Sequence, residues 1–239
     1  DITDRLMIWD AGTEVNEAPG VGPNQAPRQS GPNTGPDEGG IVQLVDDGFM
    51  YPPAADFARV SIMPLETVSF TVRVENVSMG TTLTPSDGSM QAVPMAPGAF
   101  VVHTNGGPLF TSGDADRGYG LEDLAEDGNP AGLATALSGK LGYAAEAFAV
   151  PDGAAGPAPI GPGGSYVFTF DAAPGSKLSL ATMFIPSNDL FYSPGEMGIP
   201  LWDENGVAVS GDVTEHLALW DSGTEINQEP GVGPDQAQR

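Results

Sequence analysis

The chain has 239 residues, with 8 basic and 32 acidic side chains for a formal charge of −24, and no cysteine. Such a surface repels nucleic acid and anionic lipid, and the cysteine count excludes disulfides, thiolate chemistry and Cys-based zinc sites. No run approaches the roughly 18 apolar residues that a membrane-spanning helix needs. Glycine (33) and proline (23) are abundant, yet the 40% of hydrophobic residues fall into ordered runs, so the chain reads as a loop-rich globular protein. Its opening residues carry no signal-peptide pattern, and either a removed leader or a segment of something longer is expected.

In chain order, RLMIW (5–9) predicts a short strand, followed by GIVQLV (40–45) and FARVSI (57–62). VSFTVRVENV (68–77) alternates, with Val68, Phe70, Val72 and Val74 on one face and Ser69, Thr71 and Arg73 on the other. GAFVVHT (98–104) predicts another strand. Helix is expected in one region only. GLEDLAEDG (120–128) places Leu121, Leu124 and Ala125 on one face, with Gly128 as the stop. Asn129 and Pro130 then form an N-cap and first helical position leading into AGLATALSG. SYVFTF (165–170) alternates again, KLSLATMFI (177–185) is apolar enough for a central strand, and HLALW (216–220) closes the series. The order predicts a mainly β fold: an antiparallel β-sandwich with one short helical insertion around 120–138.

One pattern stands above these. Residues 212–239 align with 1–28 at an offset of 211, and 17 of the 28 positions are identical. The shared set includes Leu6/Leu217, Trp9/Trp220, Asp10/Asp221, Thr13/Thr224, Glu14/Glu225, Asn16/Asn227 and a common PGVGP. Chance does not produce this, so the two segments are diverged copies, and the chain holds one period of about 211 residues plus an overlap.

WDxGTE, PSNDLF (186–191), GLEDLAEDGNP (120–130), VRVEN (72–76) and PNTGPDEGG (32–40) together resemble bacterial spondin-domain proteins, relatives of the N-terminal spondin domain of F-spondin and mindin. The resemblance covers essentially the whole chain and implies a spondin/C2-like extracellular sandwich that binds calcium. In the family's order, WDAGTE precedes PNTGxDE and a final strand. Residues 1–61 therefore resemble the C-terminal part of one spondin-type domain, whose strands serve this domain or a neighbouring one. Residues 62–239 resemble a second domain without its final strands. The calcium ligands implied are the aspartate of PSND and the two carboxylates of WDxGTE: Asp189, Asp221 and Glu225 here. At the last of these glutamate stands in place of the family motif's aspartate, as in other bacterial members.

The residue chemistry agrees with a hard cation. Calcium takes six to eight oxygens from carboxylates, carbonyls and water. A strand ending at Trp220 fixes Asp221, and Gly223 allows a turn that returns Glu225 to the same point. The competing reading is a strand-to-turn motif in which Asp221 bonds its own turn. Asp10 and Glu14 are the equivalent pair in the first copy, and would borrow Asp189 from the same chain or a neighbour. For catalysis the sequence offers little. His103 ends an apolar strand and reads as structural, His216 aligns with Arg5, and no nucleophile elbow, HExxH or phosphate-binding glycine loop is present. No enzyme activity is expected. Two roles remain. One is a secreted structural or adhesive calcium-binding module in a tandem or strand-exchanged array or filament, self-associating at a bacterial surface or matrix. The other is a soluble secreted module that binds a glycan or surface ligand.

Overall fold

A computed structural model of the chain describes residues 1–26, 28–64 and 66–236. It is mainly β, with antiparallel sheets and few helices. The chain divides into two compact units, 1–64 and 65–239.

In the larger unit, β3 (Val68–Glu75) and β6 (Ser165–Ala172) pair antiparallel from Val68↔Ala172 to Glu75↔Ser165. A second sheet runs in the order β10-β8-β7-β4-β5: β10 is Leu217–Asp221, β8 Leu190–Pro194, β7 Lys177–Phe184, β4 Met95–His103 and β5 Tyr143–Phe148. The short β9 (Ile199–Pro200) pairs the start of β7.

Strand alternation sorts the side chains of β4 onto two faces. Phe100 and Val102 meet Phe70, Val72, Phe168 and Phe170 of the β3–β6 pair, with Phe100 and Phe168 stacked at 4.3 Å between ring centroids. Ala99 and Val101 face the other way, onto the helices α2 (Leu121–Asp127) and α3 (Ala131–Ser138), through Leu121, Leu124, Leu133 and Leu137. The main sheet is thus covered on both faces. That is why β7 reads as apolar throughout: every residue from Leu178 to Phe184 is buried.

The helical insertion forms where the sequence predicts it. Gly128 ends α2 in the left-handed conformation (φ 66°), its N–H bonding back to the carbonyls of Asp123 and Leu124. A Cβ there would stand 2.9 Å from that of Ala96, so close packing as well as backbone angle requires glycine. Asn129 Oδ1 accepts the Ala131 N–H at 3.2 Å, but Pro130, expected as the first helical residue, takes the cap position of α3 and Asn129 stands one residue ahead of it.

The smaller unit departs from expectation. Its regular structure is one two-residue pair, β1 (Trp9–Asp10) with β2 (Gln43–Leu44), two 3₁₀ or α turns, and loops. The strand expected at 57–62 does not form. Pro52 and Pro53 precede a single helical turn, α1 (Ala54–Phe57), and among the described residues Val60 bonds to Ile2 and the Thr3 side chain instead of to β1 or β2. The strands expected at 5–9 and 40–45 shrink to their last or central residues. Among the described residues of 1–64 only Thr3, Gly12 and Gly22 are buried, and no apolar side chain is. The unit has backbone order without a core.

Candidate functional site

The turn between β7 and β8 is built by Pro186-Ser-Asn-Asp189. Ser187 Oγ donates to the Phe184 carbonyl (2.6 Å) and accepts the Leu190 N–H (3.1 Å), which folds the chain tightly and drives Asp189 inward. Asp189 is 0% exposed.

Three residues of this turn, Pro186, Asn188 and Asp189, then hold the segment that follows β10. The Asp189 carbonyl accepts the Ser222 N–H (3.1 Å), continuing the β8–β10 register beyond Asp221↔Leu190. Asp189 Oδ2 accepts the Glu225 N–H (3.1 Å). Asn188 donates to the Ile226 carbonyl (3.0 Å), and the Pro186 carbonyl accepts the Gly231 N–H (3.0 Å). Asp189 Oδ1 is buried and has no hydrogen-bond partner.

Asp221 closes its own turn. One carboxylate oxygen accepts the Gly223 N–H (2.7 Å) and the other the Asn227 side-chain amide (2.8 Å). Gly223 has φ 72°, as the turn requires. The Asn227 amide beside it holds the Asp221 carboxyl below the usual range, while burial opposes that shift. Asp189 is pushed the other way, by burial first and also by the neighbouring Asp221 charge; the Glu225 N–H offsets part of this.

The structure therefore brings Asp189 and Asp221 together. Glu225 joins them through its main-chain N–H, and its carboxylate lies within electrostatic reach of Glu126 on α2. Burial raises the Glu126 carboxyl, and the Glu225 charge adds to that, while a hydrogen bond from Thr224 opposes it. Among the described residues, no three His, Asp or Glu side chains are gathered closely enough to hold a metal ion as they stand. The described ion pairs are Asp1–Arg59, Glu75–Arg73 and Asp152–Arg73, so none neutralises this corner.

A buried carboxylate oxygen without a donor, beside a second carboxylate, is costly unless a proton or a cation occupies the gap. On that ground Asp189 and Asp221 could together hold a hard divalent ion, while the Glu225 carboxylate is not gathered with them and would have to turn inward to join as a third ligand. The helix residue Glu126 and the amides of Asn188 and Asn227 belong to the same corner. The sequence carried a signal for Asn227, since Asn16 stands at its place in the other copy.

The first copy repeats this turn in the smaller unit. Asp10 accepts the Gly12 N–H (2.8 Å) and the Asn16 amide (2.8 Å), and Gly12 has φ 66°. Glu14 forms a β-bridge with Asp37 and rests its carboxylate against Gly35, where a Cβ would come within 2.5 Å of Glu14 Oε2. Beyond β2, Tyr51 donates to Asp47 (2.6 Å), which holds the Asp47 carboxyl down and raises the phenol to about 12.

The two histidines stand apart from these turns. His103 is buried, its Nε2 within 2.9 Å of Ser179 Oγ and its Nδ1 against the Asn105 carbonyl, and burial holds its pKa low. His216 ends a 3₁₀ turn. No model of a known protein family matches the chain, and no curated protein matches its sequence.

Proposed function

We propose that this chain is a secreted, calcium-binding structural or adhesive module of the spondin type, which associates with copies of itself in an extracellular array. One observation carries the calcium reading: Asp189 is fully buried, one of its oxygens has no donor, and Asp221 stands beside it, with no ion pair to either carboxylate among the described residues. The acidic composition supports it, since a surface with a formal charge of −24 concentrates divalent cations. The resemblance of PSND and WDxGTE to spondin phrases supports the extracellular setting.

The test is thermal melting across a calcium titration. An ion that binds only the folded state stabilises it by mass action, about 2.7 kcal/mol at a hundredfold excess over Kd. For a domain of this size that is a rise of roughly 5–10 °C. No shift at millimolar calcium removes the site.

A further inference from the structure

The two copies of the repeat show complementary halves of one pairing. In the larger unit, β10 pairs β8 on one edge, and among the described residues its other edge has no strand. In the smaller unit, β1 pairs a strand on that other edge. The Ile8 carbonyl accepts the Val45 N–H (3.2 Å), the Gly12 carbonyl that of Gly40 (2.8 Å) and the Thr13 carbonyl that of Glu38 (3.1 Å), while Pro36 accepts from Val15 (2.9 Å).

Antiparallel strands turn alternate residues to opposite edges. Ser222 N–H bonds β8 through the Asp189 carbonyl, so residues 218, 220 and 222 face β8 while 219, 221 and 223 face outward. Shifted by 211, those outward positions are 8, 10 and 12, the side of the first copy that β2 occupies. Over residues 8–12 the parity of the two copies agrees, although nothing in either pairing alone demands it; beyond the Gly12 turn the bonds pass to Thr13 and Val15, flanking the Glu14–Asp37 bridge.

We infer that the open edge of β10 is a docking edge for residues 36–45 of a second copy of this chain, with Leu219 opposite Val45, Trp220 opposite Leu44, Asp221 opposite Gln43 and Glu225 opposite Asp37. Within one chain this segment is held by the first copy through the Trp9–Leu44 and Asp10–Gln43 pairs, the Glu14–Asp37 bridge and the backbone bonds above. Yet it buries no apolar side chain there, and Trp9, Ile41, Val42 and Leu44 stay exposed. A second copy's β10 offers the same pattern on a strand already fixed in a sheet. The exchange also gives Ile41, Val42 and Leu44, which are exposed in the smaller unit, an ordered sheet to pack beside. Each copy presents one donor segment and one acceptor edge, so the contact is head-to-tail and extends into a chain of subunits unless it closes. It deepens the self-association reading above, and it does not depend on calcium.

Because the protein has no cysteine, single-cysteine variants report the register directly. Val45→Cys and Leu219→Cys are mixed and oxidised at physiological ionic strength, where repulsion between the acidic chains is screened beyond about 8 Å. Hydrogen-bonded antiparallel partners stand about 5.5 Å apart at Cα, within disulfide reach. The expected result is a disulfide-linked dimer of the two variants, and a ladder of oligomers from the double variant. In unmodified protein, hydrogen exchange at the Leu219 and Asp221 amides should slow as concentration rises. A disulfide formed only within single double-variant chains overturns the proposal. So does an absence of linkage together with concentration-independent exchange. Repeating the mixture with Asp189→Asn in both chains separates the two readings. Linkage that survives there, in protein that no longer responds to calcium, leaves the docking edge standing whatever becomes of the ion.

Discussion

The two copies of WDxGTExN fold the same turn in two different settings. Asp10 and Asp221 each take a glycine N–H two residues on and an asparagine amide six residues on, at distances that agree within 0.1 Å. Their tryptophans differ. Trp220 is half-buried against Phe110 and donates its indole N–H to the Ser193 carbonyl (3.0 Å), whereas Trp9 is 60% exposed. The turn is therefore encoded locally, by side chains that satisfy their own backbone. The burial around it comes from β8 and α2, which only one copy has in its unit.

The sharpest way to break this comparison is to remove core from each unit. Leu124 is wholly buried between α2 and the main sheet. Leu124→Ala should cost about 2–5 kcal/mol in chemical denaturation. Met50→Ala in the smaller unit, where that side chain is 92% exposed, should stay within about 0.5 kcal/mol. A large loss at Met50 would mean that the smaller unit hides a core the description above denies it.

Next in size is the ion. Asp189→Asn keeps an acceptor for the Glu225 N–H and removes the buried charge, so the calcium-induced rise of about 2.7 kcal/mol at a hundredfold excess over Kd should vanish. Without calcium, the sign of its pH dependence is fixed. Folding raises the pKa of Asp189, so its stabilising contribution is present at acid pH and is lost as pH climbs through the raised value. The Asn variant should lack that decline. Melting curves from pH 4 to 7, with chelator and then with calcium, read both effects. The equivalent Asp10→Asn should leave the calcium response of the larger unit in place.

A smaller effect separates the two tryptophans. Trp220→Phe removes the bond to Ser193 and should cost about 1 kcal/mol, while Trp9→Phe should be close to neutral. Equal losses would show that Trp9 is covered in solution.

Much of the larger unit was legible in the sequence, and the reason is that its elements bury alternate or continuous apolar faces. Val68, Phe70, Val72 and Val74 alternate as expected, β7 is central as expected, and Gly128 and Asn129 bound the two helices. Strand β8 was harder. LFYSP is short, and its place between β7 and β10 depends on the Ser187 turn more than on periodicity. FARVSI carries strand residues, yet Phe57 is drawn into the helical turn after Pro52 and Pro53 and the rest pairs with neither short strand, so propensity alone misled there. At the site, Asp189 and Asp221 come together as the phrases suggested. The Glu225 charge acts on Glu126 of α2, 99 residues away in the chain, and no local pattern encodes that neighbour.

The smallest effect concerns a substitution the two copies make together. In the first, Asn24 donates its side-chain amide to Glu17 (2.7 Å), and in the second Gln228 donates its amide to Asp235 (2.6 Å). Positions 17 and 228 correspond, as do 24 and 235, so carboxylate and amide have changed places across the same loop. In both copies the main-chain N–H of the later residue also bonds the side-chain oxygen of the earlier one, at 3.0 Å. Gln236 and Gln25 close the loop identically, each accepting a glycine N–H at 2.9 Å. The geometry asks for one acceptor and one donor and is indifferent to which residue supplies which. Gln228→Glu alone sets two carboxylates face to face and should cost about 0.5–1 kcal/mol, discounted for exposure. Adding Asp235→Asn rebuilds the first copy's pair and should recover most of that loss, a coupling that a double-mutant cycle measures directly. Additive effects would mean that the loop is held by its backbone bonds alone, and that the exchange of residues between the copies is coincidence.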